Sequence, residues 1–239
     1  MNDTIDMRRI PHHIAIIMDG NRRWAKRNNK NKMLGHREGM LRIREIVEEC
    51  VKLGVKSLTV YAFSTENWGR EKDEVGYLMN LLIEFSKTMI KPLDEAGVKV
   101  NIFGDISELP ERSRTSVLKA IERTSNNEKL NFNIALNYGS KTEIARAVRN
   151  IARDAKECKL EIDDINEDLI GSYLYSKDQE DPDMIIRTSG EQRLSNFLLY
   201  QAAYSEFYFT DVLWPDFTAD ELNKAIIEYQ NRNRRYGKE

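Results

Sequence analysis

The stretch His13-Ile14-Ala15-Ile16-Ile17-Met18-Asp19-Gly20-Asn21-Arg22-Arg23-Trp24 decides how the rest of this chain is read. Its unbroken apolar run, with Ile at three positions, fits a strand covered on both faces rather than one alternating between core and water. The run stops abruptly at a carboxylate, a glycine, an amide and two guanidinium groups. Open α/β sheets carry their ligand sites outside the carboxyl ends of the strands, so the polar cluster stands where a site is expected. Asp beside Gly and paired Arg suggests metal-assisted binding of an anion. An ordinary βα surface turn is the plainer alternative.

Working outward, strands and helices alternate. Helical periodicity over about 36–53 puts Ile43, Ile46, Val47, Cys50 and Val51 on one face. Strands follow at Ser57 to Phe63 and Val98 to Phe103, separated by a long helical region from Lys72 to Glu95 that ends at Gly97. Pro110 opens a helix with Val117, Leu118 and Ile121 on one side. Leu130 to Leu136 reads as a strand of alternating character. Ser140-Lys-Thr-Glu143 has the form of a capping box for a helix burying Ile144, Ala147, Val148, Ile151 and Ala155. Short strands at Met184 to Ile186 and Glu206 to Phe209 precede a last helix capped by Thr218-Ala-Asp-Glu221, with Leu222, Ala225, Ile226 and Tyr229 inward. This order indicates a single α/β domain over 1–239 with a central, mostly parallel sheet flanked by helices.

Composition narrows the function classes. The 239 residues are 41% hydrophobic, ample for a core, and no linker-like stretch divides them. A net charge of −2 and a pI near 6.1 argue against a dedicated nucleic-acid binder. Residues 22–37 are the local exception: Arg22, Arg23, Lys26, Arg27, Lys30, Lys32 and Arg37 occur there with no acid among them. Such a run is usually a solvated face, but directly after the Asp19 loop it can attract a polyanion. Cys50 and Cys158 have neither metal nor redox spacing, which suits a reducing, cytoplasmic setting. The polar N-terminus does not read as a signal peptide, and no apolar run approaches the roughly 18 residues of a membrane span.

The chemistry gathers after the strands. Asp19-Gly20-Asn21, Ser64-Thr65-Glu66-Asn67-Trp68, Asn137-Tyr138-Gly139-Ser140 and Arg187-Thr188-Ser189-Gly190-Glu191 each follow a different strand. A parallel sheet brings all four to one edge. Their composition suggests phosphate: Arg187 and Arg193 flank a Ser-Gly turn with Ser195 beyond, and guanidinium groups hold phosphate oxygens in a bidentate fork. Gly190 permits close backbone approach to an anion, and Gly20 and Asn21 stand where a helix would begin, with free N–H groups. Asp19 can hold Mg²⁺ that bridges to phosphate. Surface ion pairs are the plain alternative for each Arg. Neither a Walker loop nor a G-x-G-x-x-G fingerprint occurs, and His12, His13 and His36 form no ligand set. His12 and His13 read as structural. Asp163-Asp164-Ile-Asn-Glu-Asp168 imitates half of an aspartate-rich prenyl-diphosphate motif but reads as a solvated turn.

The segments HIAIIMDGNRRWAK, GHREG, YAFSTENWGR, FNIALNYGSKTEI, MIIRTSGEQRLSNFLLYQAAYSEFYFTDVLWPDF and the terminal RRYG run in order from His13 to Gly237. With them the chain resembles the cis-prenyltransferases of the undecaprenyl diphosphate synthase family. The resemblance implies a homodimeric α/β fold and Mg²⁺-dependent addition of isopentenyl diphosphate to an allylic diphosphate such as farnesyl diphosphate, each new double bond Z. It implies that Asp19 holds Mg²⁺, with Glu206 as a second metal ligand. Gly20, Asn21, Arg22, Arg23, Trp24, Lys32 and His36 would surround the allylic diphosphate. Ser64, Thr65, Glu66, Asn67, Trp68 and Arg70 would form a substrate-positioning loop, with Glu74 nearby and Asn67 assisting proton removal. Arg187, Arg193 and Ser195 would bind isopentenyl diphosphate. Arg235 and Gly237 match a terminal R-x-G that reaches the partner subunit's site.

Two residues depart from the family's pattern: Arg22 stands where many members have Gly, and Lys32 where Arg is frequent. A growing hydrocarbon needs an apolar channel, for which Tyr77, Leu78, Leu81, Leu82, Phe85 and Met89 are the candidates, with core packing as the alternative. No insertion of the sort that accompanies very long products is visible, so a medium-length product, undecaprenyl diphosphate for a cell-wall lipid carrier, is expected. Membrane contact is expected to be at most peripheral. The competing readings are a short-chain synthase, a non-catalytic binding subunit of the same fold, and a nucleic-acid module built on the basic run.

Overall fold

The computed structural model describes residues 4–232. Its sheet is six-stranded and parallel at every pairing, in the order β3-β4-β2-β1-β5-β6. The strands are β1 (His13–Ile17), β2 (Ser57–Ser64), β3 (Val98–Phe103), β4 (Leu130–Tyr138), β5 (Met184–Arg187) and β6 (Glu206–Phe209). All residues of β1 are buried, and they alternate between two cores. Ile14 and Ile16 enter the larger core, and Ala15 and Ile17 the smaller. Strand pleat sets this alternation. It carries Met18, one step further, to the larger core's side and leaves Asp19 just beyond the strand end. From β1 the chain moves outward one way to β2, and later the other way to β5, so Asp19 lies at the switch point where such sheets open a crevice.

The larger core lies beneath α2 (Lys32–Leu53), α3 (Lys72–Glu95), α4 (Glu111–Thr124) and α7 (Ala219–Gln230). α2 starts earlier than periodicity suggests because the Asn31 side chain accepts the Met33 N–H and caps it. A short α1 (Asn21–Arg27) precedes it. α5 (Ser140–Lys156) and the short α6 (Glu167–Ser172) complete the helical set among the described residues.

Several expectations are corrected. β4 is buried almost throughout, not alternating, because it is flanked by β2 and β3 and covered on both faces. Neither capping box forms. Ser140 Oγ instead accepts the Leu199 N–H, and Glu143 takes the Tyr138 hydroxyl and the Tyr175 N–H. At α7 the free Ala219 N–H goes to Glu45 Oε1 rather than to a cap side chain. Leu118 and Val148 face outward, each about half exposed. The α4 face turned inward is Ser113, Val117, Ala120 and Thr124. The 161–168 stretch is exposed, as a solvated turn should be, and both cysteines are free thiols. No described helix is long and apolar enough to cross a membrane.

Candidate active site

The β1, β2 and β5 loops and the start of α2 surround one open mouth of about 510 Å³, lined among others by Asp19, Asn21, His36, Asn67, Arg70 and Arg187. The turn after β1 is held tightly. Gly20 has φ 108°, and a Cβ there would lie 3.0 Å from both Leu213 and Ser189, so glycine is required. The Asp19 carbonyl accepts from Trp214 N and Thr188 Oγ1 at 3.0 and 2.6 Å. Its carboxylate, 31% exposed, accepts Gly20 N–H at 2.7 Å and Arg187 at 2.9 Å, with Arg23 at 3.5 Å. Burial works to raise the Asp19 pKa, but the Arg187 hydrogen bond and charge, with Arg23, outweigh it and hold the carboxyl below its ordinary range.

Arg187 is the buried centre of this arrangement. It ends β5 and is 3% exposed. One terminal nitrogen reaches Asp19. The other donates to Ser195 Oγ at 2.7 Å and to the Arg193 carbonyl, while the Nε has no partner. The Arg193 side chain is exposed and paired with Glu191. Ser195 and Asn196 both have positive φ, at 48° and 63°. Asn196 crosses to the β2 loop, where its amide donates to Glu66 Oε1 at 2.9 Å. In that loop, Thr65–Gly69, Ser64 and Asn67 form the reciprocal capping pair, so the Asn67 amide oxygen is taken by the Ser64 N–H. Trp68 donates to Asn137 Oδ1 at 2.8 Å and packs edge-on against Phe63.

A second cluster joins the other two walls. Glu74, 1% exposed, meets His36 Nε2 at 3.2 Å, Lys32 Nζ at 3.3 Å and Arg70 at 3.0 Å. Lys32 also pairs with Glu71. Burial pushes the His36 pKa down, only partly offset by Glu74, so the ring is neutral at pH 7. Arg22 is exposed and its charge acts on Glu71, Glu74 and His36. On α1, Arg23 donates to the carbonyl and hydroxyl of Ser189, and Trp24 to Asp216 at 2.7 Å.

Behind the mouth lies a narrower cavity of about 120 Å³ between the sheet and α3, lined by Leu78, Leu81, Leu82 and Phe85 among others. Met18, Asn21, His36, Ala62 and Leu78 line both spaces, so the polar mouth leads into an apolar tunnel. Tyr77 and Met89 do not line it.

The structure separates two sets of expected residues from this site. Glu206 opens β6 opposite Met184, whereas Arg187 is opposite Phe209 and Ile17. Glu206 is therefore roughly 17 Å from Asp19 along the strand direction, at about 3.3 Å per residue, and it pairs with Arg232. Within one chain it does not share an ion with Asp19. Arg235 and Gly237 lie outside the described residues. Sequence reasoning missed Tyr61, Asn196 and Asp216, and gave Ser189 no role beyond its place in the Ser-Gly turn. One signal for Asn196 exists: a Cβ at Gly139 would lie 2.7 Å from both its amide and Thr65 Oγ1, marking a close loop crossing.

Among the described residues no three His, Cys, Asp or Glu side chains form a ready metal cage. One accessible carboxylate beside a cationic mouth still fits Mg²⁺, which keeps several waters and uses few protein ligands together with substrate phosphate.

Comparison with known proteins places the chain by sequence and by fold. Residues 17–237 match the family described as putative undecaprenyl diphosphate synthase. An isoprenyl transferase of Clostridium perfringens is 54% identical over 229 residues, 96% of this chain and 90% of that one. An isoprenyl transferase of Clostridium tetani is 51% identical over 98% of this chain and 91% of its own length. Lavandulyl diphosphate synthase from Lavandula x intermedia, solved with dimethylallyl diphosphate, superposes with a TM-score of 0.93 at 35% identity, covering 97% of this chain and all of that one. A probable undecaprenyl diphosphate synthase from Campylobacter jejuni gives 0.78 at 33%, with both chains fully covered.

Proposed function

This chain belongs to the undecaprenyl diphosphate synthase family of prenyltransferases, and from that premise we propose that it adds isopentenyl diphosphate repeatedly to farnesyl diphosphate with Z geometry. The observation that carries the proposal is the continuity of a polar mouth, with Arg70 and Arg187 in its lining, with an apolar tunnel. A prenyl diphosphate has the same two ends.

In this reading the allylic diphosphate lies against Gly20, Asn21, Arg22, Arg23, Lys32 and His36, with Trp24 on the same short helix as Asn21 to Arg23. Arg187, Arg193 and Ser195 hold the isopentenyl diphosphate, and the Ser64–Arg70 loop closes over both. Mg²⁺ held by Asp19 would neutralise charge on the departing diphosphate. The allylic C–O bond breaks, and the diphosphate leaves with the electron pair. The isopentenyl double bond then supplies the electrons of the new C–C bond, and a proton is lost to restore an alkene. The guanidinium groups act chiefly on the leaving anion. At an effective dielectric near 20, one close unit-charge pair contributes about 4 kcal/mol, so a few such contacts form a substantial part of a typical barrier reduction of roughly 8–23 kcal/mol. Asn67, freed from the Ser64 N–H as the loop closes, assists proton removal. Arg235 and Gly237 act in the site of a partner chain in a homodimer. Glu206 would contribute to metal binding only across such an interface.

The narrowness of the tunnel favours a second reading, a short-chain synthase. Its 120 Å³ is below the ~150 Å³ of a cavity that admits one benzene, so a long product requires α3 to move away from the sheet. Incubation with farnesyl diphosphate, labelled isopentenyl diphosphate and Mg²⁺, followed by product sizing, tests both. A medium-length ladder absent from Asp19→Ala supports the long-chain synthase. Products stopping after one or two additions support the second reading. A folded protein giving no incorporation with any allylic primer refutes both and leaves a binding subunit.

A further inference from the structure

Outside the mouth, the start of α3 and the start of α4 enclose a groove of about 500 Å³, nearly the size of the mouth itself. Its apolar lining includes Trp68, Val75, Met79 and Ile83, and its rim carries Arg70, Lys72 and Arg112. Arg70 is paired with Glu74. Lys72 and Arg112 are exposed and make no ion pair among the described residues. Gly76 lies on the groove within α3, and a Cβ built there meets nothing within 4 Å. Glycine inside a helix costs about 0.5–1 kcal/mol relative to alanine. Here no turn or close approach requires it. Its effect is to keep the groove open.

The groove also communicates with the site already described. Met79 lines both the groove and the tunnel, and Arg70 lines both the groove and the mouth. Methionine has a flexible unbranched side chain that repacks readily, so a chain lying in the groove changes the tunnel wall.

We propose that this groove is a second binding site for one prenyl phosphate ester, its hydrocarbon along Val75, Met79 and Ile83 and its phosphate at Lys72 and Arg112. The charge complementarity of the unpaired rim selects an anionic head, and the apolar lining selects a chain. That the ester is one released from the adjacent tunnel rests on the function proposed above. Occupation from outside then regulates the tunnel through Met79 and Arg70.

Calorimetric titration of the full chain with farnesyl phosphate tests the site, comparing wild type with Gly76→Leu and with Lys72→Ala/Arg112→Ala. None of these substitutions touches a group placed in the catalytic machinery. Wild type is expected to bind one equivalent per chain more than Gly76→Leu, whether or not the tunnel itself binds. The double variant is expected to weaken that extra site about tenfold, from two exposed charge contacts. Farnesol and inorganic phosphate, each lacking one half of the ligand, should not fill it. Equal stoichiometry in wild type and Gly76→Leu overturns the proposal. So does equal filling by farnesol, or Gly76-dependent binding to phosphatidylglycerol vesicles in place of farnesyl phosphate. Failure of the synthase reading would appear separately, as absent isopentenyl incorporation with the extra equivalent still present.

Discussion

His13 offers the sharpest quantitative test of the fold that carries Asp19. It opens β1 and is 1% exposed. Its Nδ1 lies 2.7 Å from the Glu180 carbonyl and its Nε2 2.7 Å from Thr59 Oγ1. Burial lowers its pKa from 6.5 to about 4, with the Glu180 contact opposing. The unfolded chain therefore binds a proton that the folded chain refuses between about pH 6.5 and pH 4, and stability falls as pH falls through that window. Integrating the two titrations gives a loss of about 2 kcal/mol between pH 8 and pH 5, approaching about 3 kcal/mol at pH 4. Carboxylates with lowered values, such as Asp19, Glu66 and Glu74, lose their contribution mainly below this window. Urea unfolding followed by tryptophan fluorescence at pH 8 and pH 5 reads the difference. His13→Gln should be less stable at pH 8, by about 1–3 kcal/mol for the disrupted contacts, yet should lose little more at pH 5, the remainder coming from His36. A variant that loses as much as wild type refutes the reasoning. Should the variant not fold, a wild-type NMR titration of the His13 ring with a midpoint near 6.5 refutes it equally.

Other substitutions probe the site directly. Arg187→Lys keeps the charge but loses the fork that joins Asp19 to Ser195, so kcat/KM should fall roughly 10²–10³-fold; steady-state kinetics with isopentenyl diphosphate varied would show it. Gly39→Ala puts a Cβ 2.2 Å from Asn21 Oδ1, forcing that amide out of the junction between mouth and tunnel; KM for the allylic diphosphate should rise while circular dichroism stays native. Ala62→Leu fills the same junction and should shorten the products seen on sizing without abolishing the first condensation. Removing Mg²⁺ with a chelator should stop incorporation and leave the unfolding midpoint unchanged, since no described cluster of ligands depends on metal for folding.

What the sequence disclosed follows from the type of interaction involved. β1 and its neighbours are legible because a strand buried on both faces must be apolar throughout, and strand-end polar clusters in a parallel sheet must share an edge. The large tertiary demands on single polar side chains are not legible. Ser140 and Glu143 have the spacing of a capping box, but an N–H from residue 199 and a hydroxyl from residue 138 claim them first. Nothing in the spacing marks Asp216, yet Trp24 and Arg27 converge on it. Glu206 stands in a segment that matches the family's motif well, yet strand register moves it to the opposite end of the sheet from Asp19. A motif fixes which residues are present, and register decides which of them can meet.

The cations that identify the mouth are not idle in this structure. Arg187 and Arg23 attend Asp19, Arg193 attends Glu191, and Lys32 and Arg70, with the neutral His36 ring beside them, converge on Glu74. Left without counterions, so many like charges around one cavity would repel one another. The carboxylates therefore stabilise the protein before any diphosphate arrives, and an arriving diphosphate must compete with them. Competition of this kind makes affinity a difference between two sets of ion pairs, and couples binding to shape. Glu74 sits on α3, whereas Lys32 and His36 sit on α2. A diphosphate that draws the Lys32 ammonium and the neutral His36 ring away loosens the tie between the helices that wall the tunnel. Such release would let α3 move off the sheet, the movement a tunnel of only about 120 Å³ requires before it can accept a longer chain. Glu74→Gln should therefore weaken the tie without substrate, and hydrogen exchange in α3 should quicken in the free variant towards the rate that diphosphate induces in wild type. Unchanged exchange in both would mean that α3 is held by its apolar face alone and that the tunnel widens by another route.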